Sequence, residues 1–295
     1  MDRLRFCIVD VFAEEKYAGN QLAVFRNAKD VHDGEMQRIA KEMNFSETTF
    51  VVSGVQQNGG YDVRIFTPMA EVPFAGHPAL GTAYVVQQEV MKEPVRAMTL
   101  NLGVGPIRIT FERSGKLIDT VWMQQKSPVF GQTFDRGHIS QVLSVDKRDI
   151  CDRFPVQEVS TGLPFIVVPM ESLDAVKRAK VAKERYFELI KDAQAKAVFI
   201  FCPEAYRREN DFNVRMFADY YGVSEDPACG SGVGCLAGYL VKYGYLARDR
   251  IDIRVEEGYE IGRPSLLLAK AEDKGEGIEV SVGGRVVMVA RGELV

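Results

Sequence analysis

Asp226-Pro227-Ala228-Cys229-Gly230-Ser231-Gly232-Val233-Gly234-Cys235 is the stretch around which the chain is organised. It runs straight into Leu236-Ala237-Gly238-Tyr239-Leu240-Val241, an apolar segment too short to cross a membrane. A glycine-rich turn opening an apolar helix gathers unpaired backbone N–H groups and the positive end of the helix dipole at one spot. Such a spot binds carboxylates or phosphates. An earlier stretch has the same build: Phe74-Ala75-Gly76-His77-Pro78-Ala79-Leu80-Gly81, leading into Thr82-Ala83-Tyr84-Val85-Val86. Pro78 suits a first helical turn, where a missing N–H costs nothing.

The likeness extends upstream, where Val63-Arg64-Ile65-Phe66 precedes the first turn and Val214-Arg215-Met216-Phe217 the second. Both read V-R-x-F. An internal repeat near half the chain length indicates two halves of one design. Aligning Gly76 with Gly230 sets Ala75 against Cys229 and His77 against Ser231. The expectation is a pseudo-symmetric pair of helix N-termini facing one cleft.

A chain of 295 residues suffices for one large domain or two ordinary ones. Its 46% apolar and 26% charged residues are those of a soluble globular protein. A net charge of −4 argues against a nucleic-acid surface, which is normally basic. Charge interrupts the N-terminus, Met1-Asp2-Arg3-Leu4-Arg5-Phe6-Cys7-Ile8-Val9-Asp10, before a signal-length apolar run develops, and no segment is long enough to span a membrane. Cys7, Cys151, Cys202, Cys229 and Cys235 form neither an even framework nor a C-x-x-C pair, which points to a reducing, cytoplasmic compartment.

In chain order, strands are expected at Leu4–Phe12 and Gln21–Phe25, then a helix from Asp33 carrying Met36, Ile39, Ala40 and Met43 on one face. Glu47–Val52 and Tyr61–Phe66 read as strands joined through Asn58-Gly59-Gly60. The first glycine turn and its helix, from Pro78 to about Lys92, precede strands at Met98–Leu102, Pro106–Glu112 and Leu117–Gln124. The second half repeats this order. Strands at Val156–Ser160 and Phe165–Pro169 lead to one amphipathic helix over Leu173–Asp192, with Val176, Lys180, Lys183 and Phe187 along one flank. Strands at Ala197–Cys202 and Phe212–Phe217, the helix from Ser231 to Tyr243, and four closing strands follow. Helices apolar on nearly every face are buried all round. The fold class expected is therefore α+β: two pseudo-symmetric lobes, each a mostly antiparallel sheet wrapped around a central apolar helix. The lobes are set at 1–127 and 128–295, with the last strand free to return to the N-terminal lobe.

The glycine turns match no cofactor fingerprint. No lysine follows as in a phosphate-binding P-loop, Cys235 takes the third glycine position of a dinucleotide loop, and Cys229 sits where a nucleophile elbow needs glycine. Cys229 and Cys235 lack the partner pair that zinc requires. His77 is either a structural histidine or, with Gly76 and Pro78 shaping the turn, an imidazole for proton transfer. Glu47 is either a strand-end carboxylate in water or an inward acid/base group raised by desolvation. Asp226 reads as a turn residue or cap, or as a holder of His77 or a substrate amine. Ser231 is a helix cap or a cleft residue. Cys229, at a helix N-terminus, is expected to have a depressed pKa. Its counterpart is Ala75, so a two-thiol racemase is not assembled.

Asn44-Phe45-Ser46-Glu47-Thr48-Thr49-Phe50, Arg64-Ile65-Phe66-Thr67-Pro68, Glu71 through Pro78 and Glu225 through Gly232 together resemble the phenazine-biosynthesis PhzF-like isomerase family, as do Asp10-Val11-Phe12, Gly19-Asn20 and Leu22-Ala23-Val24. The resemblance spans most of the chain. It implies a diaminopimelate-epimerase-like fold, a homodimer and no cofactor. By position it implies Glu47, His77, Asp226 and Ser231 as catalytic residues, with the Gly76 and Gly230 amides binding the substrate carboxylate. Gln21 stands where the family commonly has proline, and Cys229 where phenazine-forming members often have threonine or a small residue.

The expected function is a cofactor-independent isomerase that moves a proton on a small carboxylic acid, with Glu47 transferring the proton and Cys229 lining the substrate site. The alternatives are an epimerase using Cys229 as a second base, or a carboxylate-binding protein without turnover. No metal, nucleic acid or membrane partner is expected.

Overall fold

The structure, a computed structural model, describes residues 4–53, 59–91, 93–115 and 117–295. Of the residues read above, 1–3, Asn58 and Lys92 lie outside the described residues. The chain runs β1 (Arg5–Val11), β2 (Asn20–Arg26), α1 (Asp33–Met43), β3 (Glu47–Val51), β4 (Tyr61–Phe66), β5 (Glu71–Val72), α2 (Gly76–Glu89), β6 (Ala97–Leu102), β7 (Gly105–Ser114), β8 (Leu117–Gln124) and β9 (Val129–Phe134). It continues through α3 (Arg136–Val142), β10 (Val156–Ser160), β11 (Pro164–Pro169), α4 (Leu173–Arg178), α5 (Lys183–Lys191), β12 (Ala197–Cys202), β13 (Phe212–Ala218), β14 (Val223–Asp226) and α6 (Gly230–Lys242). Strands β15 (Arg250–Glu257), β16 (Ser265–Asp273), β17 (Ile278–Gly284) and β18 (Val286–Glu293) complete it. Two compact units result: Met1–Met123 with Gly283–Val295, and Gln124–Val282.

In the first unit β1 pairs antiparallel with both β18 and β2, and β2 runs parallel to β3. Strand β4 is antiparallel to β3 and β5 and parallel to β6, which continues into the antiparallel pairs β6–β7 and β7–β8. Helix α2 lies against β1, β2, β3, β6, β7 and β18. It has no acidic residue in its first turn and no basic one in its last, and ten of its residues are buried, His77 through Ala83 among them. A helix with no polar face has to be enclosed, as the sequence implied. Outside, Met36 and Ala40 of α1 pack on Ala23, Phe25, Phe50 and Phe66. The Phe25 and Phe50 rings stack at 5.1 Å, and Phe66 meets Phe50 edge-on at 5.5 Å. Asp33 and Glu35 open α1, Lys41 closes it and Asn44 ends it in the left-handed region, so its ends complement its dipole.

In the second unit β10 is antiparallel to β9 and β11, and β11 runs parallel to β12. Strand β13 is antiparallel to β12 and β14 and parallel to β15, which pairs antiparallel with β16. Helix α6 lies against β10, β11, β15 and β16. The outer core joins α3, α4 and α5 to this sheet through Ile139, Val142, Val176, Tyr186, Leu189 and Ile190. With two parallel pairings in each unit among the described residues, the architecture is a mixed α/β one.

The single helix expected over Leu173–Asp192 is two. The Lys180 and Ala182 N–H groups donate to the Leu143 and Val142 carbonyls at 2.9 and 2.8 Å, and Ala179 turns extended. The Arg215 guanidinium takes the Val176 and Ala179 carbonyls at 2.9 Å each, satisfying the end of α4. Tertiary hydrogen bonds displace the intrahelical ones there. The break re-phases the buried face onto Tyr186, Leu189 and Ile190, leaving Phe187 47% exposed rather than packed. Strand β9 and helix α3 are not among the expected elements, because Pro128, Gly131 and Gly137 mask the periodicity there.

Candidate active site

In the first unit the parallel register of β2 and β3 sets Leu22 beside Glu47, so the Gln21 backbone and the Glu47 side chain emerge together. Helix α2 begins with Gly76 and His77, and its N-cap, Ala75, offers no side-chain acceptor. The Thr49 and Thr82 hydroxyls, 2.8 Å apart and buried, tie α2 to β3. His77 Nε2 thereby stands 3.4 Å from Glu47 Oε2, with His77 6% and Glu47 19% exposed. Burial lowers the His77 pKa to about 3, opposed by a hydrogen bond to the Gln21 backbone. Nε2 makes no hydrogen bond, so the Gln21 bond falls to Nδ1, which donates. The neutral ring therefore presents the Nε2 lone pair to Glu47. A buried, neutral imidazole beside a carboxyl group is a pair of the residue types that general acid/base chemistry uses.

In the second unit Asp226 ends β14, opposite Met216 of β13, and is neither a cap nor a turn residue. The N-cap of α6 is Cys229, whose Sγ accepts from the Gly232 N–H at 3.4 Å. Ser231 is therefore a residue of the first helical turn and not the cap, and it is partly exposed. The expectation of a depressed Cys229 pKa is overturned. Burial pushes the thiol well above its usual value, the acidic Asp226 beside it pushes it further, and the single Gly232 bond is too little to offset them. The helix N-terminus lowers a thiol's pKa only where water or cations leave it free to ionise.

The first turn of α6 is braced from beneath. Gln125 donates from Nε2 to the Gly230 carbonyl at 2.9 Å and accepts at Oε1 from the Thr161 hydroxyl at 2.6 Å. A Cβ on Gly234 would lie 1.8 Å from that Oε1, and one on Gly232 would lie 2.4 Å from the Phe199 ring. The glycines of the turn are thus there for close packing. Glu257, at the end of β15, accepts from the Cys229 N–H at 2.8 Å. Neither Gln125 nor Glu257 carried any local sequence signal.

The V-R-x-F repeat has a physical explanation. Arg64 grips Glu71 through two bonds of 2.8 and 2.7 Å, and its guanidinium stands 5.2 Å from the Phe66 centroid. Arg215 grips Glu225 through two bonds of 2.8 Å, with its guanidinium 4.8 Å from Phe217. Each fork fixes the short strand that leads into a glycine turn. Glu71 precedes Gly76 by the same spacing as Glu225 precedes Gly230, a signal that the alignment of the two turns contained. Among the described residues, no cluster of His, Cys, Asp and Glu could hold a metal ion, and no helix is long and apolar enough to cross a membrane. All five cysteines are buried and free.

Comparison with known proteins identifies the family. The family model described as phenazine biosynthesis-like protein matches residues 9–292. The trans-2,3-dihydro-3-hydroxyanthranilate isomerase of Pseudomonas fluorescens is 34% identical over 292 residues, covering 98% of this chain and 99% of that one. The crystal structure of a PhzF-family phenazine biosynthesis protein from Bacillus anthracis superposes with a TM-score of 0.91 at 25% identity, covering 100% of both chains. A probable proline racemase from Agrobacterium radiobacter shares the fold alone, with a TM-score of 0.65 at 9% identity over 99% of this chain and 93% of that one. The chain belongs to the phenazine biosynthesis-like PhzC-PhzF family and is an isomerase of the PhzF-like kind.

Proposed function

We propose that this chain isomerises a small carboxylic acid by moving a proton from one carbon to another without a cofactor. The observation that supports this most directly is the 3.4 Å approach of Glu47 to a buried, neutral His77 at the N-terminus of α2. Glu47 removes the proton and returns it elsewhere on the substrate, while His77 orients the carboxyl group through Nε2. The N–H groups at Gly76 and Gly230 hold the substrate carboxylate. Asp226 holds an amine or hydroxyl, Ser231 donates a hydrogen bond to developing negative charge, and Cys229 lines the site. The acid/base step contributes about 10²–10⁴-fold, and orientation with exclusion of water supplies the rest.

Because a relative sharing 34% of its residues is a trans-2,3-dihydro-3-hydroxyanthranilate isomerase, a cyclic amino or hydroxy acid is the substrate class we favour. We further propose that the two units are copies of one design. The matching order of parallel and antiparallel pairings supports this, as do the duplicated Arg–Glu forks. A homodimeric, cytoplasmic enzyme is part of the same proposal and rests on the family resemblance and the cysteine pattern. An epimerase using Cys229 as second base is disfavoured by the raised thiol.

The test is incubation in D₂O with a panel of amino, hydroxy and cyclic unsaturated carboxylic acids, including trans-2,3-dihydro-3-hydroxyanthranilate, followed by NMR. Deuterium appearing at a carbon with relocation of a double bond is expected for at least one cyclic acid. Tight carboxylate binding with no exchange across the panel would leave a binding protein and contradict the proposal.

A further inference from the structure

Glu257 is a carboxyl group with no exposed surface, at 0%. Its Oε2 accepts the Cys229 N–H at 2.8 Å, at the N-cap of α6. Its Oε1 is buried and makes no hydrogen bond. The charged groups that bear on it are all acidic: Asp226 and Glu225 from β14, and Glu260 from the turn after β15, with the Cys229 thiol beside it on α6. An ionised carboxylate in that position would be a buried charge with no paired cation among the described residues and an unsatisfied oxygen. Such a group takes up a proton instead of remaining charged.

We infer that Glu257 is held as a neutral carboxylic acid and is the positioning residue of the α6 first turn, gripping the Cys229 amide without placing a second negative charge beside Asp226. This rests on the reading that Asp226 and the Gly230 amide hold the substrate. A carboxylate at Glu257 would repel both a substrate carboxylate and Asp226. A neutral acid keeps the acceptor and removes the repulsion. Burial, then the Asp226 charge, hold the Glu257 pKa well above that of an ordinary carboxyl. The sign follows from linkage. Above pH of about 4.5 the unfolded chain has released this proton and the folded chain keeps it, so this group's contribution to stability declines as pH rises towards the folded value.

The experiment compares urea unfolding of the full chain with that of Glu257→Gln between about pH 5 and pH 8. The folding equilibrium constant of the variant relative to the parent is expected to grow up to about tenfold per pH unit. A ratio independent of pH would overturn the held proton. A second measurement needs no variant: infrared spectra of the chain carrying carboxyl-¹³C glutamate should show a protonated carboxyl C=O stretch at neutral pH, and its absence would overturn the inference. For positioning, Glu257→Ala should lose carbon-proton exchange at least about tenfold, and Glu257→Gln, which keeps the acceptor, should recover most of it. Equal exchange in the parent and Glu257→Ala would overturn the positioning role. The first two measurements use no substrate, so a parent chain that exchanges nothing would count against the proposed function and not against the held proton.

Discussion

Replacing Gly234 by alanine tests the brace beneath α6. The new Cβ would sit 1.8 Å from Gln125 Oε1 and 2.5 Å from its Cδ, so the Gln125 amide has to leave. Its departure breaks the bond to the Gly230 carbonyl and the bond from Thr161. Two such bonds are worth about 2 kcal/mol together, and residual overpacking adds about 1–3 kcal/mol. Alanine in a helix interior returns about 1 kcal/mol relative to glycine. The net loss is about 2–4 kcal/mol, measurable by urea denaturation. In a Gln125→Ala background the obstruction is gone, and the same substitution should stabilise by about 1 kcal/mol. The double-mutant cycle therefore carries a coupling of about 3–5 kcal/mol. A neutral or stabilising Gly234→Ala in the parent chain, or a cycle that closes with no coupling, would refute the reasoning.

The two Arg–Glu forks share a motif and differ in burial. Glu225→Ala, which strands a guanidinium 9% exposed, should cost about 3–5 kcal/mol in denaturant unfolding. Glu71→Ala, beside an Arg64 that is 27% exposed and also paired to Asp33, should cost about 1 kcal/mol or less. His77, whose folded pKa is lowered to about 3, refuses a proton that the unfolded chain accepts below about 6.5. Stability should accordingly fall by up to about 1.4 kcal/mol per unit as pH drops through that window, and His77→Gln should remove this share of the slope. Cys229, buried and with its thiol pushed up, should resist iodoacetamide in the native protein at mildly alkaline pH, as mass spectrometry of the alkylated peptides would show.

Much of this architecture could be read from the sequence because the relevant patterns are local. The all-apolar character of α2 and α6 announces enclosure, and the spacing of Met36 and Ala40 announces one buried face. Glu47 and His77 were singled out by residue type and setting, and the structure brings them together. What escaped depends on partners distant along the chain. The break between α4 and α5 is made by carbonyls of α3 and by Arg215, none of which can be seen within the helical pattern. Gln125 and Glu257 look like ordinary polar residues in their own segments and gain meaning only under the first turn of α6. The Cys229 thiol was misjudged because a helix N-terminus is visible in sequence, whereas complete burial beside two acids is not.

The most direct test of the account is carbon-proton exchange in D₂O with Glu47→Gln beside the parent chain, on whichever acid the panel identifies, with binding followed by calorimetry. The prediction is exchange at least about 10²-fold slower in Glu47→Gln, with the affinity for the acid retained. Exchange at the parental rate in that variant would contradict the assignment of Glu47 as the group that moves the proton.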